Sequence, residues 1–342
     1  MVINYTKLIF KVNKLSIFDQ SKKYTIMKNI FKILSVMFAI GFTAVSCSDN
    51  EDEPVMSQTA YAIASRDANL SSLKAAIDRA GLATTLDGTG TFTIFAPSNA
   101  AFTTFLQANG FATLNDVPVA ALKEILLNHV LATRVTSSEI TTGYVSTLAK
   151  GAASSTRNIS MYLNKTSGVK VNGTVNVTAA DILATNGVIH KTDAVIGLPT
   201  IVTHALANPN FTSLVSALTR SDMPDFVGIL SGTASSPFTV FAPTNAAFAS
   251  LLTETGLANL GAVPQSLLEN ALKYHVVAGA NVASTALTNN MSVTTFQGGM
   301  FTITTTGGAK ITDANSRVSN IILTDVQCAN GIIHAIDKVL LP

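Results

Sequence analysis

Apolar residues early in the chain recur at the spacing of one helical face. The stretch NLSSLKAAIDRAG, residues 69–81, places four apolar side chains on the same side of a helix: Leu70, Leu73, Ala76 and Ile77. Gly81 follows them and marks the end of this predicted helix. Pro118 and Pro264 each stand before a later apolar run of similar period, and each predicts the start of another helix.

A second pattern, dense in aromatic and β-branched residues, predicts strands that turn into helices. FTIFAPSNAAF occupies residues 92–102 and FTVFAPTNAAF occupies residues 238–248. The first four letters favour a strand, and the proline forces the residue before it into extended geometry, so the strand should end there. Ser98 or Thr244 is then placed to cap the free N–H groups of a helix, whose first phenylalanine should face inward.

Three such landmarks occur twice in the same order, which indicates two copies of one domain. The strand-to-helix corner recurs after 146 residues, as do the histidines of LKEILLNHVL and LENALKYHVV, His129 and His275. The segments NGVIHKTDAVIGLP and NGIIHAIDKVLLP begin at Asn186 and Asn330, 144 residues apart. This spacing is typical of a globular domain, whereas solenoid and propeller repeats recur every ~20 to 50 residues.

We expect residues 57–199 to form one domain and residues 200–342 the other. About 143 residues per copy are enough to bury a sizeable apolar core. A helical pattern starts at Ile201, directly after Pro199, so no long linker separates the copies and their relative orientation should be fairly fixed. Each copy ends in two strand patterns joined by Asn-Gly, a pair that supports the positive φ values of a tight hairpin turn.

The corner, the helix that ends in histidine and the terminal N-G-[VI]-I-H-x-x-D motif together resemble the fasciclin domain, in tandem. The resemblance covers about residues 57–342. It implies an α+β fold, in which each domain is a β-sandwich or wedge with helices packed on one side, and a general role in adhesion at cell surfaces. The family's adhesive Tyr-His pair maps onto Tyr274 and His275 in the second copy and onto Asn128 and His129 in the first. These four residues are therefore candidate contacts for a partner.

The histidines also have a structural interpretation. His129 and His275 follow apolar residues at helical spacing, so we expect both to be partly buried on the apolar faces of their helices. His190 and Asp193, like their counterparts in the second copy, are three residues apart on a predicted strand, which puts them on opposite faces and disfavours a metal site or a His-Asp dyad. The sequence contains no phosphate loop or nucleophile elbow, so we expect neither an enzyme nor a bound cofactor or metal.

The first 46 residues are typical of an export signal rather than of a folded domain. Basic residues precede an apolar stretch, residues 33–45, that is too short to span a bilayer easily and fits the core of a signal peptide. A start at Met27 suits such a signal, so residues 1–26 are expected to lie upstream of the true start. The alternative is that all of residues 1–46 form a long leader.

Cys47 has two interpretations. The letters AVSC that end at Cys47 resemble the cleavage box of bacterial lipoproteins, and acyl chains on this cysteine would anchor the protein stably. Residues 47–56 would then form an acidic tether. Its carboxylates resemble the signal that sends Bacteroidetes-type lipoproteins to the outer face of the outer membrane: Asp49, Glu51, Asp52 and Glu53. The alternative is an incidental cysteine followed by a solvated acidic segment.

The formal net charge of +2 changes its meaning once this leader is set apart. Seven lysines and one aspartate lie within residues 1–46, which leaves 15 basic and 19 acidic residues in the rest of the chain. A net charge of about −4 removes the electrostatic basis for a nucleic-acid partner. Because only 12% of the residues are charged, we expect a polar, weakly charged surface that contacts protein or glycan ligands.

The other cysteine, Cys328, corresponds to Ala184 at the 144-residue spacing of the copies. A position that accepts alanine holds a small apolar side chain, so we expect Cys328 to be a buried free thiol. The two domains should then be stabilised by packing alone.

Two functions remain open from the sequence. The first is an adhesion or interaction protein, lipid-anchored in the outer membrane and exposed at the cell surface. The second is a carbohydrate-related accessory lipoprotein that binds a glycan or supports a neighbouring uptake machine. A glycan site usually needs exposed aromatic platforms, and the chain has no Trp and only six Tyr, which favours the first function.

Overall fold

The computed structural model describes residues 58–342, in which two α+β domains follow one another along the chain. Each domain starts with short helices, passes through the strand-to-helix corner and ends in a long hairpin, so the predicted α+β class is confirmed. The leader, Cys47 and the acidic tether fall outside the described residues. Within residues 58–342, none of the helices combines the length and the apolar character needed to cross a membrane.

The first domain alternates helices and strands as its sequence pattern predicts. Its helices are α1 (Ala60–Arg66), α2 (Ser71–Arg79), α3 (Ala83–Asp87), α4 (Asn99–Ala108) and α5 (Val119–Leu127). Its strands are β1 (Phe92–Pro97), β2 (Val130–Leu131), β3 (Gly143–Ser146), β4 (Ser160–Asn164), β5 (Lys170–Val171), β6 (Val175–Ala184) and β7 (Gly187–Thr192). Short 3-10 helices at Ala68–Leu70 and Leu114–Asp116 lead into α2 and α5.

The second domain repeats this order of elements. Its helices are α6 (Ile201–Ala207), α7 (Thr212–Leu218), α8 (Phe226–Ser231), α9 (Asn245–Thr255) and α10 (Gln265–Tyr274). Its strands are β8 (Phe238–Pro243), β9 (Val276–Ala278), β10 (Met291–Thr294), β11 (Met300–Thr304), β12 (Lys310–Thr312), β13 (Val318–Cys328) and β14 (Gly331–Ile336). Its 3-10 helices are Pro209–Phe211, Leu260–Ala262 and Ser284–Ala286.

The strands of each domain form one mixed seven-stranded sheet. The strand orders are β2-β1-β7-β6-β5-β4-β3 and β9-β8-β14-β13-β12-β11-β10. β1 lies parallel to β7, with Phe95 opposite His190, and the other neighbouring strands of this sheet are antiparallel. The second sheet repeats the plan through the parallel pair β8 and β14, in which Phe241 lies opposite His334.

The long strands β6 and β13 bend each sheet into the predicted wedge. Both strands shift register against their hairpin partners, and Asp181 and Asp325 have φ values of 61° and 63° within these irregular stretches. The bend brings distant strands together, because Phe95 of β1 packs with Met161 of β4 although three strands lie between them in the sheet. The wedge is thus one continuous sheet that folds over its own core.

Alternate residues of β1 belong to two separate cores. Phe95 enters the core inside the wedge, whereas Ile94 and Ala96 face the helices. The helical core also contains the residues predicted from helical spacing: Leu70, Leu73, Ala76 and Ile77. This division follows from the two-residue period of a strand, and β8 repeats it with Phe241 inside the second wedge.

The strand-to-helix corner has the predicted geometry in both domains. β1 and β8 end at Pro97 and Pro243. The Ser98 hydroxyl caps α4 by accepting a hydrogen bond from the N–H of Ala101 at 3.2 Å, and Thr244 caps α9 in the same way. The first phenylalanine of each helix is buried, as predicted.

The Asn-Gly pair before the last strand has a different role from the one predicted. The hairpin between β6 and β7 is present, but its turn residues are Thr185 and Asn186, and neither has a positive φ. Gly187 already belongs to β7, and a Cβ atom at this position would lie 2.1 Å from the carbonyl oxygen of Phe92. The close approach of the parallel strand, and not the turn, therefore requires glycine here.

Asn186 connects the first helices to the sheet. Its side-chain oxygen accepts a hydrogen bond from the N–H of Ala60 at 2.8 Å. Its amide nitrogen donates to the carbonyl oxygens of Leu86 and Gly88 at 2.8 and 2.9 Å. Asn330 makes the equivalent three hydrogen bonds in the second domain. Because both polar atoms of this buried side chain are satisfied, the asparagine stabilises the helix–sheet junction.

We predict that Gly187→Ala lowers the free energy of unfolding by about 3 kcal/mol or more, because the added methyl group must push β7 away from the backbone of β1. Urea denaturation followed by circular dichroism measures this change. Gly197→Ala is the matched control, since no atom lies within 4 Å of its Cβ position and its φ is not left-handed. The control should stay within about 0.5 kcal/mol of the parent, and equal losses in the two variants would contradict the close-approach role.

Candidate functional site

The four candidate contact residues lie at the ends of two equivalent helices, inside the protein. Asn128 and His129 follow α5, and Tyr274 and His275 close α10. Their exposed fractions are 0%, 1%, 0% and 3%. The prediction that the two histidines are buried is confirmed. A direct contact between a partner and these side chains would require the helix end to open.

Each of these histidines joins its helix to the last segment of its own domain. In the first domain, His129 Nδ1 lies 2.7 Å from the carbonyl oxygen of Ile125, and His129 Nε2 lies 2.8 Å from the backbone nitrogen of Ile196. A neutral ring that donates from Nδ1 and accepts at Nε2 satisfies both contacts. The ring therefore connects the last turn of α5 to the segment that follows β7.

The second domain repeats these two histidine hydrogen bonds with almost the same distances. His275 Nδ1 lies 2.6 Å from the carbonyl oxygen of Ala271, and His275 Nε2 accepts from the N–H of Leu340 at 2.9 Å. Burial lowers the pKa of His129 and of His275 to about 4, so both rings are neutral near pH 7. The neutral form is the one that both hydrogen bonds need.

The residues before the two histidines differ in chemistry and in what they touch. The Tyr274 ring fills the second wedge, edge-on to Phe301 at 5.8 Å, and its hydroxyl donates to the carbonyl oxygen of Met300 at 2.5 Å. Asn128 instead donates to the carbonyl oxygens of Ile196 and Gly197 at 3.3 and 3.0 Å. Both side chains are thus packing and hydrogen-bonding elements of their own domain in the folded state.

The strand histidines are buried as well, and they do not pair with the nearby aspartates of the motif. His190 Nε2 lies 2.9 Å from the carbonyl oxygen of Val135, while Asp193 accepts hydrogen bonds from Asn176. His334 and Asp337 repeat this arrangement with their own partners. Within residues 58–342, no group of three or more His, Cys, Asp or Glu side chains is placed to hold a metal ion.

The contact between the two domains was not anticipated from the sequence. Its polar part joins the first wedge to β13: the backbone N–H of Gln327 donates to the Ser160 hydroxyl at 3.0 Å, and Arg157 pairs with Asp325 at 3.4 Å. Beside it, the N–H of Ala153 donates to the carbonyl oxygen of Ala329; this bond is 3.0 Å long. These bonds support the fairly fixed orientation expected from the short connection between the copies.

An aromatic cluster completes this contact. Tyr144 of β3 reaches α6, where its ring lies edge-on to His204 at 5.3 Å and its hydroxyl accepts from Asn208 at 3.2 Å. His204 is fully buried, and neither ring nitrogen makes a hydrogen bond of good geometry. Burial lowers its pKa to about 4, which the nearby Ser160 backbone offsets only in part. The domain contact therefore holds a neutral imidazole.

A comparison of the copies gives the sequence signal for this contact. Gln327 corresponds to Leu183 at the 144-residue spacing, and Leu183 is 42% exposed whereas Gln327 is 1% exposed. When equivalent positions hold a buried polar residue in one copy and an exposed apolar residue in the other, the surface at that position is covered only in the copy with the polar residue. Cys328, the next residue, is buried as predicted, and burial raises the pKa of its thiol well above the usual value.

Fold and site together define a pair of α+β domains whose five histidines are all buried within the structure. A family model described as Fasciclin domain matches residues 68–199 and 209–342. The chain therefore belongs to the fasciclin-domain family, as its motifs predict.

Two relatives and one solved structure illustrate the membership. An uncharacterized protein of Synechocystis, sll1735, is 35% identical over 144 residues, which cover 42% of this chain and 98% of that protein. The rabbit transforming growth factor-beta-induced protein ig-h3 is 30% identical over 266 residues, 75% of this chain but 35% of the relative. A FAS1 domain pair from the insect cell adhesion molecule fasciclin I has a TM-score of 0.50 and 23% identity, covering 80% of this chain and 97% of the pair. It shows the shared fold.

We predict that His275→Ala and His129→Ala each lower the free energy of unfolding by about 1 to 3 kcal/mol, because each leaves a void and unpaired backbone groups in the core. Thermal melts of the two variants, next to counts of attached cells, test this expectation. A His275→Ala variant that keeps its melting temperature and loses attachment would instead make His275 a contact residue.

We also predict that the chain loses stability as the pH falls from 6.5 towards 4. The folded-state pKa is about 4 for His129, His204 and His275 against 6.5 for a free histidine, so the unfolded chain binds protons first in this range. The stabilisation is complete above pH 6.5 and falls by up to about 3 kcal/mol per histidine on the way to pH 4. Urea midpoints measured at half-unit pH steps report the slope, and a flat profile between pH 6.5 and 5 would contradict it.

Proposed function

We propose that this chain is a surface-exposed, lipid-anchored adhesion protein of the cell envelope. The observation that carries the proposal is the pair of fasciclin domains held together by a buried contact, in the same fold as the domain pair of an insect cell adhesion molecule. Two domains in a fixed relation present one extended surface, which suits attachment to a large partner.

The exposed apolar side chains favour the second domain as the main contact surface. In the first domain the large apolar residues that are more than a third exposed are Val119 and Leu183. In the second domain they are more numerous: Leu206, Ile229, Phe296, Met300, Val318, Ile322 and Leu323. Apolar groups on an otherwise polar surface are the usual anchors of a protein–protein contact.

A protein partner fits this surface better than a glycan does. Phe296, at 40% exposure, is the only aromatic side chain in residues 58–342 with more than a third of its surface free. Sugar rings generally stack on exposed aromatic side chains, so a carbohydrate-related accessory role is the weaker alternative. We therefore propose protein ligands at the cell surface as the partners.

The anchor is proposed from the sequence, since Cys47 and the acidic tether fall outside the described residues. A lipid on Cys47 would hold the domain pair at the membrane through a short link that ends near Gln58, where the structure begins. The acidic residues at positions 49–53 would direct the lipoprotein to the outer face. Such an arrangement places the domain pair within reach of neighbouring cells.

We predict that Cys47→Ser abolishes membrane retention and cell attachment together, because the unlipidated chain has no anchor. Cell fractionation and attachment counts measure the two effects. Cys328→Ala is the matched cysteine control: its thiol is buried and the first copy carries Ala184 at this place, so it should remain anchored and adhesive. Replacement of Asp49, Glu51, Asp52 and Glu53 should keep the lipid but remove protease accessibility in intact cells.

The attachment assay also tests the exposed apolar side chains of β13 as part of the contact surface. Ile322→Thr with Leu323→Ala places on β13 the residues that the first copy has at the equivalent positions of β6, and both side chains are exposed. Attachment should fall while the melting temperature stays unchanged. Full attachment by this variant would place the contact elsewhere, and binding to a glycan array by the parent chain would favour the accessory role.

A further inference from the structure

The second domain contains an apolar cavity of about 220 Å³ between its first three helices and strands β8 and β14. We call it the helix cavity. Its inner wall is formed by Phe211, Leu214, Leu230, Val240 and Ile333. An engineered apolar cavity of roughly 150 Å³ in another protein stays dry and binds benzene. A site of this size and lining is therefore large enough for an organic molecule.

The helix cavity opens to solvent between α6 and α7. Lining residues that are partly or largely exposed mark its mouth: Val202, Leu206, Val215, Leu218, Thr219 and Val227. Leu206 is the most exposed of them, at 65%. The mouth is thus apolar, with the Thr219 hydroxyl as its polar side-chain group.

No polar atom of the inner wall is left for a polar ligand. His275 lines the helix cavity, but its two ring nitrogens are already bonded to Ala271 and Leu340. The remaining lining side chains apart from Thr219 are apolar. A ligand that carried polar groups inside would lose their hydration without compensation, so the interior selects hydrocarbon.

The equivalent surface of the first domain carries a polar network in place of this mouth. Arg79 and Arg220 are equivalent residues of the two copies, because each donates to backbone carbonyls just before the fifth helix of its domain. This equivalence sets the alignment of the first helices of the two domains. With this alignment, the positions of Val202, Val215 and Thr219 are occupied in the first domain by Tyr61, Lys74 and Asp78.

Those three residues are bonded to one another across α1 and α2. The Tyr61 hydroxyl donates to Asp78 at 2.6 Å, and Lys74 pairs with Asp78 at 2.6 Å. The Tyr61 ring packs against the helical core of its domain, in the place that the smaller Val202 leaves open in the second domain. The residues at the mouth therefore differ in size and polarity between the two copies of the fold.

We propose that the helix cavity of the second domain binds a linear aliphatic chain, such as the alkyl part of a fatty acid or alcohol, of roughly eight carbons. The chain enters between α6 and α7 and leaves its polar end in solvent beside Thr219. A peptide segment does not suit the site, since its backbone N–H and C=O groups would find no partners among the apolar wall residues. The lining of this site does not include Ile322 or Leu323, the two β13 residues whose variant tests the adhesive surface.

The test uses the full chain with Cys47→Ser in every sample, so that no lipid of its own competes. Isothermal titration with 1-octanol and with octanoate separates a neutral from an anionic head group, and a series from butanol to tetradecanol measures the effect of chain length. We expect one saturable site per chain for both eight-carbon probes, and an affinity that stops rising near eight to ten carbons.

The decisive variant closes the mouth of the helix cavity by introducing the three residues that the first domain has at the equivalent positions. Val202→Tyr, Val215→Lys and Thr219→Asp together should weaken octanol binding roughly tenfold or more. Val202→Tyr alone is the second variant, in case the triple variant does not fold, and circular dichroism melts verify folding. Leu183→Gln, an exposed position in the first domain, is the control and should bind like the parent. Absence of saturable binding by the parent, or unchanged binding by a folded Val202→Tyr variant, would overturn the proposal.

Discussion

The parallel contact between the first long strand and the last strand of each domain is the constraint on which the rest of the fold depends. β1 and β7 come from opposite ends of the domain, and they can lie side by side because Gly187 lets the backbone of Phe92 approach closely. This pairing places β7 inside the sheet, with β1 on one side and the long bent strand β6 on the other. Asn186, one residue earlier, then holds the N-terminal helices over the same junction.

The buried histidines hold the segment that follows the last strand of each domain. The segments around Ile196 and Leu340, which follow β7 and β14, are not part of a strand, and their backbone N–H groups donate to an imidazole from the end of a helix. Because the ring must be neutral to accept this bond, the contact depends on a low pKa, which burial provides. The histidines of the two candidate contact pairs are therefore structural elements of the fold.

The sequence predicts those features whose causes lie within a few residues of each other. Helical spacing identifies the apolar face around Leu73 and Ile77, and the proline of the corner fixes the end of β1. The role of Gly187 was predicted wrongly, because the atom that demands glycine belongs to Phe92, which is 95 residues earlier in the chain. The domain contact was missed for a similar reason: His204 and Tyr144 are 60 residues apart, and neither has a local pattern that reveals the other.

Comparison of the two copies separates the positions that keep their residue type from the positions that vary. Asparagine, glycine and histidine at the strand junctions have equivalent partners in both domains, since a change there would open the sheet or release the segment after the last strand. Positions that face outward from the same elements differ: Gln327 lies in the domain contact where Leu183 is exposed, and Val202 stands where Tyr61 covers the first helices. Because each domain has its own helical core, the second copy can carry an apolar cavity where the first copy has a polar network of Tyr61, Lys74 and Asp78. We therefore expect functional differences between the domains on the exposed faces of the first two helices and of the long strands β6 and β13, where substitutions leave the fold intact.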